Sequence, residues 1–213
     1  MNAETPIILP EPTLRRLPWY LAFVEILRAR GEEFVSSTRI ARALSVDASQ
    51  IAKDLSFLNI KGKTRIGYET SVLANRLADF LGFRKVHNAY VMGVGSLGSA
   101  LLRDSGLANY GLRIVAGFDI DPDVMRQPDP GVPIYHPDMI DEVMKRIPAD
   151  ICILAVPAES AQEVADIAVA AGIRAIWNFT PYRVKVAEGV VMANTSIYAH
   201  LALIYNRLES LPK

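Results

Sequence analysis

Apolar residues recur at every third or fourth position between Thr13 and Arg30. The recurring residues are Leu14, Leu17, Leu21, Val24 and Leu27. This spacing matches the turn of an α-helix and predicts one helix with a single apolar face. Thr13 has the hydroxyl of a helix N-cap and Gly31 supplies a stop, whereas Pro18 predicts a kink or a later start.

Two shorter helices are predicted next, separated by a tight turn. The first follows the capping cluster Ser36-Ser37-Thr38, and the turn Ser45-Val46-Asp47 places Asp47 to cap the second. Their inward residues are Ile40, Ala41 and Leu44 in the first helix and Ile51, Leu55 and Leu58 in the second. This arrangement is typical of a helix-turn-helix, whose second helix enters the major groove of DNA.

The outward positions of the second helix carry groups that contact DNA in such units. They are Ala48, Ser49, Gln50, Ala52, Lys53 and Ser56. Ser49 and Gln50 are predicted to read base edges and Lys53 to hold a phosphate. Ser56 completes the candidate DNA-binding set on this helix.

A basic hairpin is predicted after this helix, over residues 59–68. Lys61, Lys63 and Arg65 alternate with turn-forming and β-branched residues, as in the wing of a winged helix. Such cations would lie against the phosphate backbone or in the minor groove. The pattern leaves open a structural or dimerising helix-turn-helix with a solvated basic loop. One more helix is predicted at residues 71–80, with the inward residues Val72, Leu73, Leu77 and Phe80.

A glycine-rich turn follows the apolar strand predicted at residues 89–92, and a helix is predicted over residues 97–103. The turn reads Gly93-Val94-Gly95-Ser96-Leu97-Gly98. In a dinucleotide-binding turn the first glycine permits the bend, the second lets the backbone approach a pyrophosphate, and the third allows close helix–strand packing. The helix N-terminus adds N–H groups that favour phosphate. All six residues are therefore candidate cofactor-binding residues.

A second strand, predicted at residues 113–118, ends at Asp119. A carboxylate in this place accepts hydrogen bonds from the hydroxyls of an adenosine ribose and repels a 2′-phosphate, which favours NAD(H) over NADP(H). Asp121 would add to that repulsion. The alternative is that Asp121-Pro122-Asp123 only starts a helix.

Strands and helices alternate along the rest of the chain, which predicts a parallel, doubly wound sheet. Strands are predicted at residues 132–135, 150–156, 175–179 and 190–192, and helices at residues 138–146 and 159–171. Ligands bind at the carboxyl ends of such strands. The candidates for the nicotinamide side are Val156, Pro157, Phe179, Thr180 and Asn194. The alternative is that they are ordinary loop residues.

The last predicted helix, from Ser196 to Leu208, is strongly apolar on all sides. A helix of this kind needs to be covered, and the sheet is already covered by the other helices. A partner subunit is the expected cover. A homodimer would also present two recognition helices to palindromic, double-stranded operator DNA.

Composition separates two regions of the chain and narrows the class of protein. Residues 1–85 hold 13 Lys/Arg against 9 Asp/Glu, although the whole chain has no net charge. Cys152, the only cysteine, lies in an apolar run, so a core role is expected and an internal disulfide is excluded. No apolar run is long enough to span a membrane and residues 1–12 lack a signal-peptide pattern, so we expect a cytoplasmic protein.

The sequence shows no catalytic or metal-binding pattern. His87, His136 and His200 are scattered and lack metal-ligand spacing. The nucleotide-binding region also leaves no room for a substrate domain with an acid–base group. A nucleotide-binding unit joined to a DNA-binding unit indicates a sensor rather than an enzyme. The alternatives are a small NAD-dependent oxidoreductase with a structural N-terminal domain, and a winged-helix interaction protein with a structural nucleotide.

The chain resembles the Rex family of redox-sensing transcriptional repressors over residues 10–205. The resemblance is carried by Lys53-Asp54-Leu55-Ser56, Gly67-Tyr68, the glycine turn, Phe118-Asp119-Ile120-Asp121-Pro122, Ala155-Val156-Pro157, and Asn178-Phe179-Thr180-Pro181 with Asn194. It implies a homodimer with a winged-helix domain at residues 1–85 and a Rossmann domain at residues 86–213, whose last helix is swapped between subunits. It also implies that NADH closes the dimer and releases operator DNA, whereas NAD+ competes and leaves the DNA-bound form available.

The chain departs from the family pattern at several positions. Ala52 stands where many members have an arginine before the lysine of the recognition helix, and Arg65 lies one place further along the wing. Ala22, Ser105 and Ser196 stand where some members link redox state to domain closure through an arginine, a tyrosine and an aspartate. The resemblance therefore leaves the operator sequence open and predicts a different switch.

Overall fold

The described residues, 9–126 and 131–211 of a computed structural model, fall into two units. The units are Met1–Lys85 and Val86–Lys213, and each has its own hydrophobic core. Residues 1–8, most of the segment that lacks a signal-peptide pattern, lie outside the described residues.

The first unit is built from helices around a small two-stranded sheet. Its elements are α1 (Glu11–Ala29), β1 (Phe34–Val35), α2 (Ser37–Leu44), α3 (Ala48–Ser56), β2 (Tyr68–Glu69) and α4 (Thr70–Phe80). Its core includes Leu17, Tyr20, Val24, Ile40, Ile51, Leu55, Leu73 and Leu77, all nearly or fully buried. The helix-turn-helix pairing predicted for α2 and α3 is confirmed.

The start of α1 differs from the prediction, because the helix begins at Glu11. Pro10 occupies the N-cap position and Pro12 lies in the first turn, where a missing N–H costs no intrahelical bond. Thr13 is therefore not the cap. Thr13 lies within the first turn of α1, and its hydroxyl donates a hydrogen bond to the Asp54 carboxylate of α3 at 3.1 Å.

The end of α1 follows the prediction, but part of its inward face does not. Pro18 lies within the helix, so a late start at this residue is wrong. Gly31 follows the helix with a φ of +76°, a left-handed conformation that favours glycine. Leu14 was predicted inward and is exposed, whereas Tyr20 is fully buried.

The capping of α2 and α3 is partly as predicted. The Ser36 hydroxyl caps α2 by accepting a hydrogen bond from the Arg39 N–H at 3.1 Å. Asp47 occupies the N-cap position of α3 but makes no side-chain capping bond; only its carbonyl accepts, from the Ile51 N–H at 3.1 Å. Leu58 lies beyond the end of α3, so its assignment to that helix is wrong.

One inward residue of α4 is also corrected. Val72 is exposed, whereas Leu73 and Leu77 are buried. Adjacent residues of a helix point about 100° apart, so positions 72 and 73 cannot both face the centre of the core.

A short hairpin follows α3, as the basic segment predicted. Lys63 and Gly67 pair in antiparallel fashion, with the Lys63 N–H donating to the Gly67 carbonyl at 2.7 Å. The chain then enters β2, which pairs antiparallel with β1. Gly67 is needed here because a Cβ would lie 2.4 Å from the Val35 carbonyl oxygen. The hairpin is therefore joined to the rest of the first unit through the pairing of β2 with β1.

The second unit is a layered α/β structure. Its strands are β3 (His87–Met92), β4 (Leu112–Phe118), β5 (Ile134–Tyr135), β6 (Ile151–Leu154), β7 (Ala175–Asn178) and β8 (Val191–Asn194). Its helices are α5 (Ser96–Arg103), α6 (Pro122–Arg126), α7 (Ile140–Arg146), α8 (Ala161–Ala170) and α9 (Ile197–Glu209). Short 3₁₀ turns lie at Leu107–Tyr110, Pro137–Met139 and Ala158–Ser160.

The six strands form one parallel sheet in the order β5-β4-β3-β6-β7-β8. This is the strand order of a dinucleotide-binding Rossmann fold, so the predicted doubly wound sheet is confirmed. The order reverses between β3 and β6, where the chain leaves the first half of the sheet for the second. Ligands of such folds bind outside the carboxyl ends of the strands at this point.

Hydrophobic side chains cover both faces of the sheet. Tyr90 and Met92 belong to one buried cluster, whereas Ala89 and Val91 belong to another. Successive residues of a strand point to opposite faces, so β3 supplies both layers. This double burial explains the nearly continuous apolar runs that identified the strands.

Several element boundaries differ from the sequence prediction. β5 begins at Ile134 rather than at residue 132, and β6 ends at Leu154 rather than at residue 156. A 3₁₀ turn precedes α7, and β8 extends to Asn194. Residues 179–190, which are all described, contain no helix, so the strict alternation of strands and helices stops after β7.

Candidate functional site

The glycine turn lies between β3 and α5, at the point where the strand order reverses. Gly93 has a φ of +89°, and an added Cβ would meet the Ala155 carbonyl oxygen at 2.6 Å. At Gly98 a Cβ would lie 1.9 Å from the Gly93 carbonyl oxygen. At Gly95, by contrast, a Cβ would meet nothing within 4 Å. Two glycines therefore serve the packing of the turn, and the third borders open space.

This open space suits a pyrophosphate. Gly95 occupies the N-cap position of α5 and has no side-chain oxygen to satisfy the first-turn amides. Those amides and the positive end of the helix dipole are the groups that bind phosphate in dinucleotide-binding folds. The residues of the turn thus fit a dinucleotide, with Val94, Ser96 and Leu97 supplying the backbone around Gly95.

Asp119 lies beside the glycine turn at the carboxyl end of β4. Its Oδ2 accepts a hydrogen bond from the Val94 N–H at 2.6 Å, and its Oδ1 accepts one from the Asp121 N–H at 2.9 Å. A carboxylate has about four acceptor positions, so capacity remains for ribose hydroxyls. Asp121 accepts from the Asp123 N–H at 2.8 Å at the start of α6, so this segment does start a helix.

A cavity of about 380 Å³ opens at the ends of β6 and β7. It is lined by Leu97, Ala155, Val156, Pro157, Ala158, Phe179, Thr180, Pro181, Ile197 and Tyr198. Four of the five residues predicted for the nicotinamide side are among them. The lining is mostly apolar, which suits a flat aromatic ring more than a phosphate.

Asn194 is the predicted nicotinamide-side residue that does not line the cavity. Its Oδ1 accepts a hydrogen bond from Asn178 Nδ2 at 2.9 Å. Asn178 also donates to the Tyr182 carbonyl at 2.8 Å and accepts from the Thr180 N–H at 2.9 Å. Asn194 is therefore bonded to Asn178, and Asn178 in turn orders the loop that carries Thr180.

Sequence reasoning missed two groups of residues around this cavity. Asn178 lies in the motif Asn178-Phe179-Thr180-Pro181, but its organising role depends on contacts with Asn194 of β8 and with Thr180 and Tyr182 of the following loop. Ile197 and Tyr198 come from the first turn of α9 and were assigned only to dimerisation. The signal available for them was their position directly after β8, at the same edge of the sheet.

Helix α9 is uncovered along its length. It contains no buried residue, although Ser196 caps it by accepting from the Ala199 N–H at 3.1 Å. The large apolar side chains that are exposed are Ile197, Tyr198, Leu203, Ile204, Tyr205 and Leu208. A surface of this composition is typical of a protein–protein interface.

The candidate DNA-binding residues lie on α3 and on the hairpin. Ser49, Lys53 and Ser56 are exposed on α3, and the Ser56 hydroxyl donates to the Lys53 carbonyl at 2.7 Å. Gln50 is only partly exposed, because its amide is bonded to Asp54. On the hairpin, Lys61, Lys63 and Arg65 are all exposed. The Lys63 ammonium lies 4.9 Å from the centre of the Phe34 ring, a cation–π contact at the base of the hairpin.

A buried carboxylate joins α3 to α1. Asp54 is fully buried and receives hydrogen bonds from Thr13, Arg16, Tyr20 and Gln50. Burial opposes its ionisation, but the donors, with Arg16 first, outweigh it and hold the pKa of Asp54 below its ordinary value. The same burial, together with the Asp54 hydrogen bond, raises the pKa of Tyr20 to about 12.

The remaining residues and patterns noted in the sequence lie outside the glycine turn and the candidate DNA-binding surface. Cys152 is buried in the core, where burial raises the pKa of its thiol to about 12. Ala22, Ser105 and Ser196 are exposed or partly exposed. Within residues 9–126 and 131–211, no group of His, Cys, Asp or Glu is arranged to hold a metal ion. In the same part of the chain no helix is long and apolar enough to cross a membrane.

Family models match both units of the chain. The model described as a putative DNA-binding protein N-terminus matches residues 8–56, and the CoA binding domain model matches residues 84–182. The second model covers the glycine turn, Asp119 and most of the cavity.

Full-length relatives and solved structures agree with these matches. A redox-sensing transcriptional repressor Rex of Porphyromonas gingivalis is 56% identical over 96% of this chain and 94% of its own length. The Rex repressor of Bacteroides fragilis is 54% identical, over 94% of this chain and 91% of its own. The crystal structure of RSP, in complex with β-NAD+ and operator DNA, superposes with a TM-score of 0.90 at 32% identity, over 95% of this chain and 94% of RSP.

These relatives are transcriptional repressors and not enzymes, which excludes the oxidoreductase alternative at the level of the family. Their similarity extends over 94–96% of this chain. The chain therefore belongs to the Rex family of redox-sensing transcriptional repressors.

Proposed function

We propose that this chain is a repressor that binds operator DNA as a homodimer and is released from it by NADH. DNA binding is assigned to residues 1–85 and cofactor binding to residues 86–213. The observation that carries the proposal is the overall superposition on RSP, of which crystal structures exist with β-NAD+ and operator DNA and with β-NADH. The site geometry supports it independently.

The cofactor is assigned to the carboxyl edge of the sheet. The pyrophosphate would lie against residues 93–98, where Gly95 leaves the space open. Asp119 would hold the adenosine ribose and disfavour a 2′-phosphate. When bound, the nicotinamide ring would supply the redox signal in the apolar cavity bordered by Val156, Pro157, Phe179 and Thr180. Asn194 supports this cavity through Asn178.

Discrimination between NADH and NAD+ is assigned to the cavity rather than to the glycine turn. The two redox forms present the same pyrophosphate and differ by one hydride and one charge at the nicotinamide ring. A tenfold change in DNA affinity requires about 1.4 kcal/mol of coupling, within the ~1–3 kcal/mol usual for allostery. The cavity lining is the part of the site that can supply such a difference.

DNA binding is assigned to α3 and the wing. Ser49 and Gln50 would face base edges, Lys53 and Ser56 the backbone, and the wing cations Lys61, Lys63 and Arg65 the phosphates or the minor groove. Two copies of this surface, joined through the apolar face of α9, would match a palindromic operator. A repressor of bacterial operators works where the chromosome lies, so we place the protein in the cytoplasm.

The decisive experiment titrates NADH and NAD+ separately against the DNA-bound dimer. Sequences enriched by the chain from a randomised duplex pool would serve as the labelled probe, and fluorescence anisotropy would report binding. We expect NADH to release the DNA at concentrations at which NAD+ does not.

Asp119→Ala tests the cofactor site separately from DNA binding. It removes the carboxylate assigned to the ribose and lies outside the unit assigned to DNA. It is expected to bind the probe normally and to need much more NADH for release. DNA binding that is absent in the wild-type protein, or indifferent to NADH, would overturn the proposed function.

A further inference from the structure

We infer that Asp54 is a positioning residue that orients the amide of Gln50, so that the recognition helix selects adenine at one position of each operator half-site. The inference rests on the proposed DNA-binding function and adds its base specificity. Asp54 is fully buried on α3, the helix that also carries Gln50.

The Asp54 carboxylate is saturated with donors. Its Oδ2 accepts from Arg16 Nε at 2.7 Å and from the Tyr20 hydroxyl at 2.8 Å. Its Oδ1 accepts from Arg16 Nη2 at 2.9 Å, from the Thr13 hydroxyl at 3.1 Å and from Gln50 Nε2 at 2.8 Å. A carboxylate offers about four acceptor positions, so these five bonds leave no room for another partner.

The ionised state of this carboxylate determines which end of the Gln50 amide faces Asp54. An ionised carboxylate only accepts hydrogen bonds, so the amide nitrogen must be the atom next to Asp54 Oδ1. A reversed amide would bring two oxygen atoms together at about 2.8 Å. The pKa of Asp54 is held low by its donors, so the carboxylate stays ionised at neutral pH. The amide therefore has one orientation.

The orientation leaves a defined pair of groups for DNA. Gln50 lies in the first turn of α3, the part of a recognition helix that meets base edges. One N–H of its amide is used by Asp54, which leaves the carbonyl oxygen and the second N–H. An acceptor beside a donor matches the N6 amino group and N7 of adenine in the major groove.

Holding the amide in advance also favours binding. A free glutamine side chain loses rotamer freedom when it is ordered, and that loss opposes binding. Here the bond to a fully buried carboxylate has already restricted the side chain before DNA arrives. Ser49 and Lys53 have no comparable restraint among the described contacts, so Gln50 is the residue that the fold prepares for reading.

The base preference is tested in two steps. The protein first enriches its preferred sites from a randomised palindromic duplex pool, and its relative affinities are then measured for duplexes with single-base substitutions in that site. The wild-type protein is expected to prefer adenine at one position per half-site. Gln50→Ala should lose that preference by roughly tenfold or more, the effect of one bidentate base contact. Val72→Ala, at an exposed position of α4 that is not assigned to DNA, is the control and should keep the preference.

The positioning role is tested with Asp54→Asn and Tyr20→Phe. Both remove a partner from the buried cluster, but only Asp54→Asn changes the acceptor that faces Gln50. Asp54→Asn should reduce the adenine preference. Tyr20→Phe should lower the thermal stability but leave the adenine preference unchanged. In a Gln50→Ala background, Asp54→Asn should leave the base preference as it is, whatever it does to overall affinity.

The outcomes separate this inference from the proposed function. Failure of the wild-type protein to enrich any sequence would overturn DNA reading itself. Enrichment with an unchanged adenine preference in Gln50→Ala would overturn only the role of Gln50. Equal loss of affinity for all duplexes in Asp54→Asn, at constant base preference, would show a purely structural carboxylate.

Discussion

Single residues of the glycine turn have different physical reasons to be glycine. Gly93 has a left-handed φ and faces the Ala155 carbonyl, and Gly98 faces the carbonyl of Gly93. Gly95 has an ordinary φ of −67° and faces open space. Substitution should therefore separate folding from cofactor binding.

Gly93→Ala is expected to destabilise the fold, because its Cβ would lie 2.6 Å from a backbone oxygen. A left-handed alanine alone costs about 1–2 kcal/mol, and the clash adds to it. Gly95→Val should leave the melting temperature nearly unchanged and lower NADH affinity at least tenfold, or about 1.4 kcal/mol. Differential scanning fluorimetry and NADH fluorescence titration measure the two effects. Equal loss of stability in both variants would contradict this assignment.

Asp54 predicts a pH dependence of stability. Its pKa is lower in the folded protein than the ordinary 3.8, so the unfolded chain takes up its proton first as the pH falls. The stabilisation is therefore complete above about pH 4 and is lost as the pH falls through the folded pKa. Urea unfolding between pH 3 and about 7 should show a steeper acid loss for the wild type than for Asp54→Asn. Parallel curves would show that the carboxylate does not contribute.

At the scale of elements, the wing combines exposed charge with backbone strain. Arg65 has a φ of +65° in the turn between the paired residues Lys63 and Gly67. Non-glycine residues adopt this conformation at a cost of about 1–2 kcal/mol. Strain of this kind clusters at functional sites, so we expect the charge of Arg65 to serve DNA binding.

Arg65→Gly should raise the stability of the fold and weaken DNA binding at once. Relief of strain is partly offset by the flexibility of glycine in the unfolded chain, so the net gain should stay below about 1 kcal/mol. Loss of one phosphate contact should reduce the slope of log affinity against log salt by about 0.9. Arg65→Ala is the control, since it removes the charge but keeps the strain. Unchanged salt dependence in both variants would place Arg65 outside the interface.

At the scale of the whole molecule, the uncovered helix α9 requires a partner. Its apolar side chains, among them Leu203, Ile204 and Leu208, are exposed by about half. A monomer rarely leaves such a continuous apolar surface in water. The proposed homodimer covers this surface and supplies the second recognition helix for a palindromic site.

Leu203→Glu should disrupt the dimer, because it would bury a charge in an apolar interface. Light scattering after size-exclusion chromatography should shift from dimer to monomer, and operator affinity should fall by at least tenfold. Glu163→Ala, at an exposed position of α8, should change neither property. A Leu203→Glu protein that remains a dimer would exclude α9 as the interface.

The element types and the glycine turn were predictable from the sequence because they depend on local properties. Hydrophobic period distinguishes strands from helices, and Gly93, Gly95 and Gly98 carry their spacing within six residues. The wing and the helix-turn-helix were predicted for the same reason. Errors arose at caps and ends, such as Thr13 and Asp47, and at the inward faces of α1 and α4, where Leu14 and Val72 are exposed. These features depend on neighbours in space as well as on neighbours in sequence.

Packing, and not local sequence, sets which polar groups meet. The partners of Asp54 on α1 are 34 to 41 residues away in sequence, and Asn178 meets Asn194 across 16 residues. No periodicity encodes such contacts, because they depend on how packed elements align their side chains. Local sequence patterns alone predicted the dinucleotide turn and the helix-turn-helix. The hydrogen bond from Gln50 to the buried Asp54, and the place of Tyr198 at the cavity, became visible only in the folded structure. Burial and distances between side chains exist only once the chain is packed.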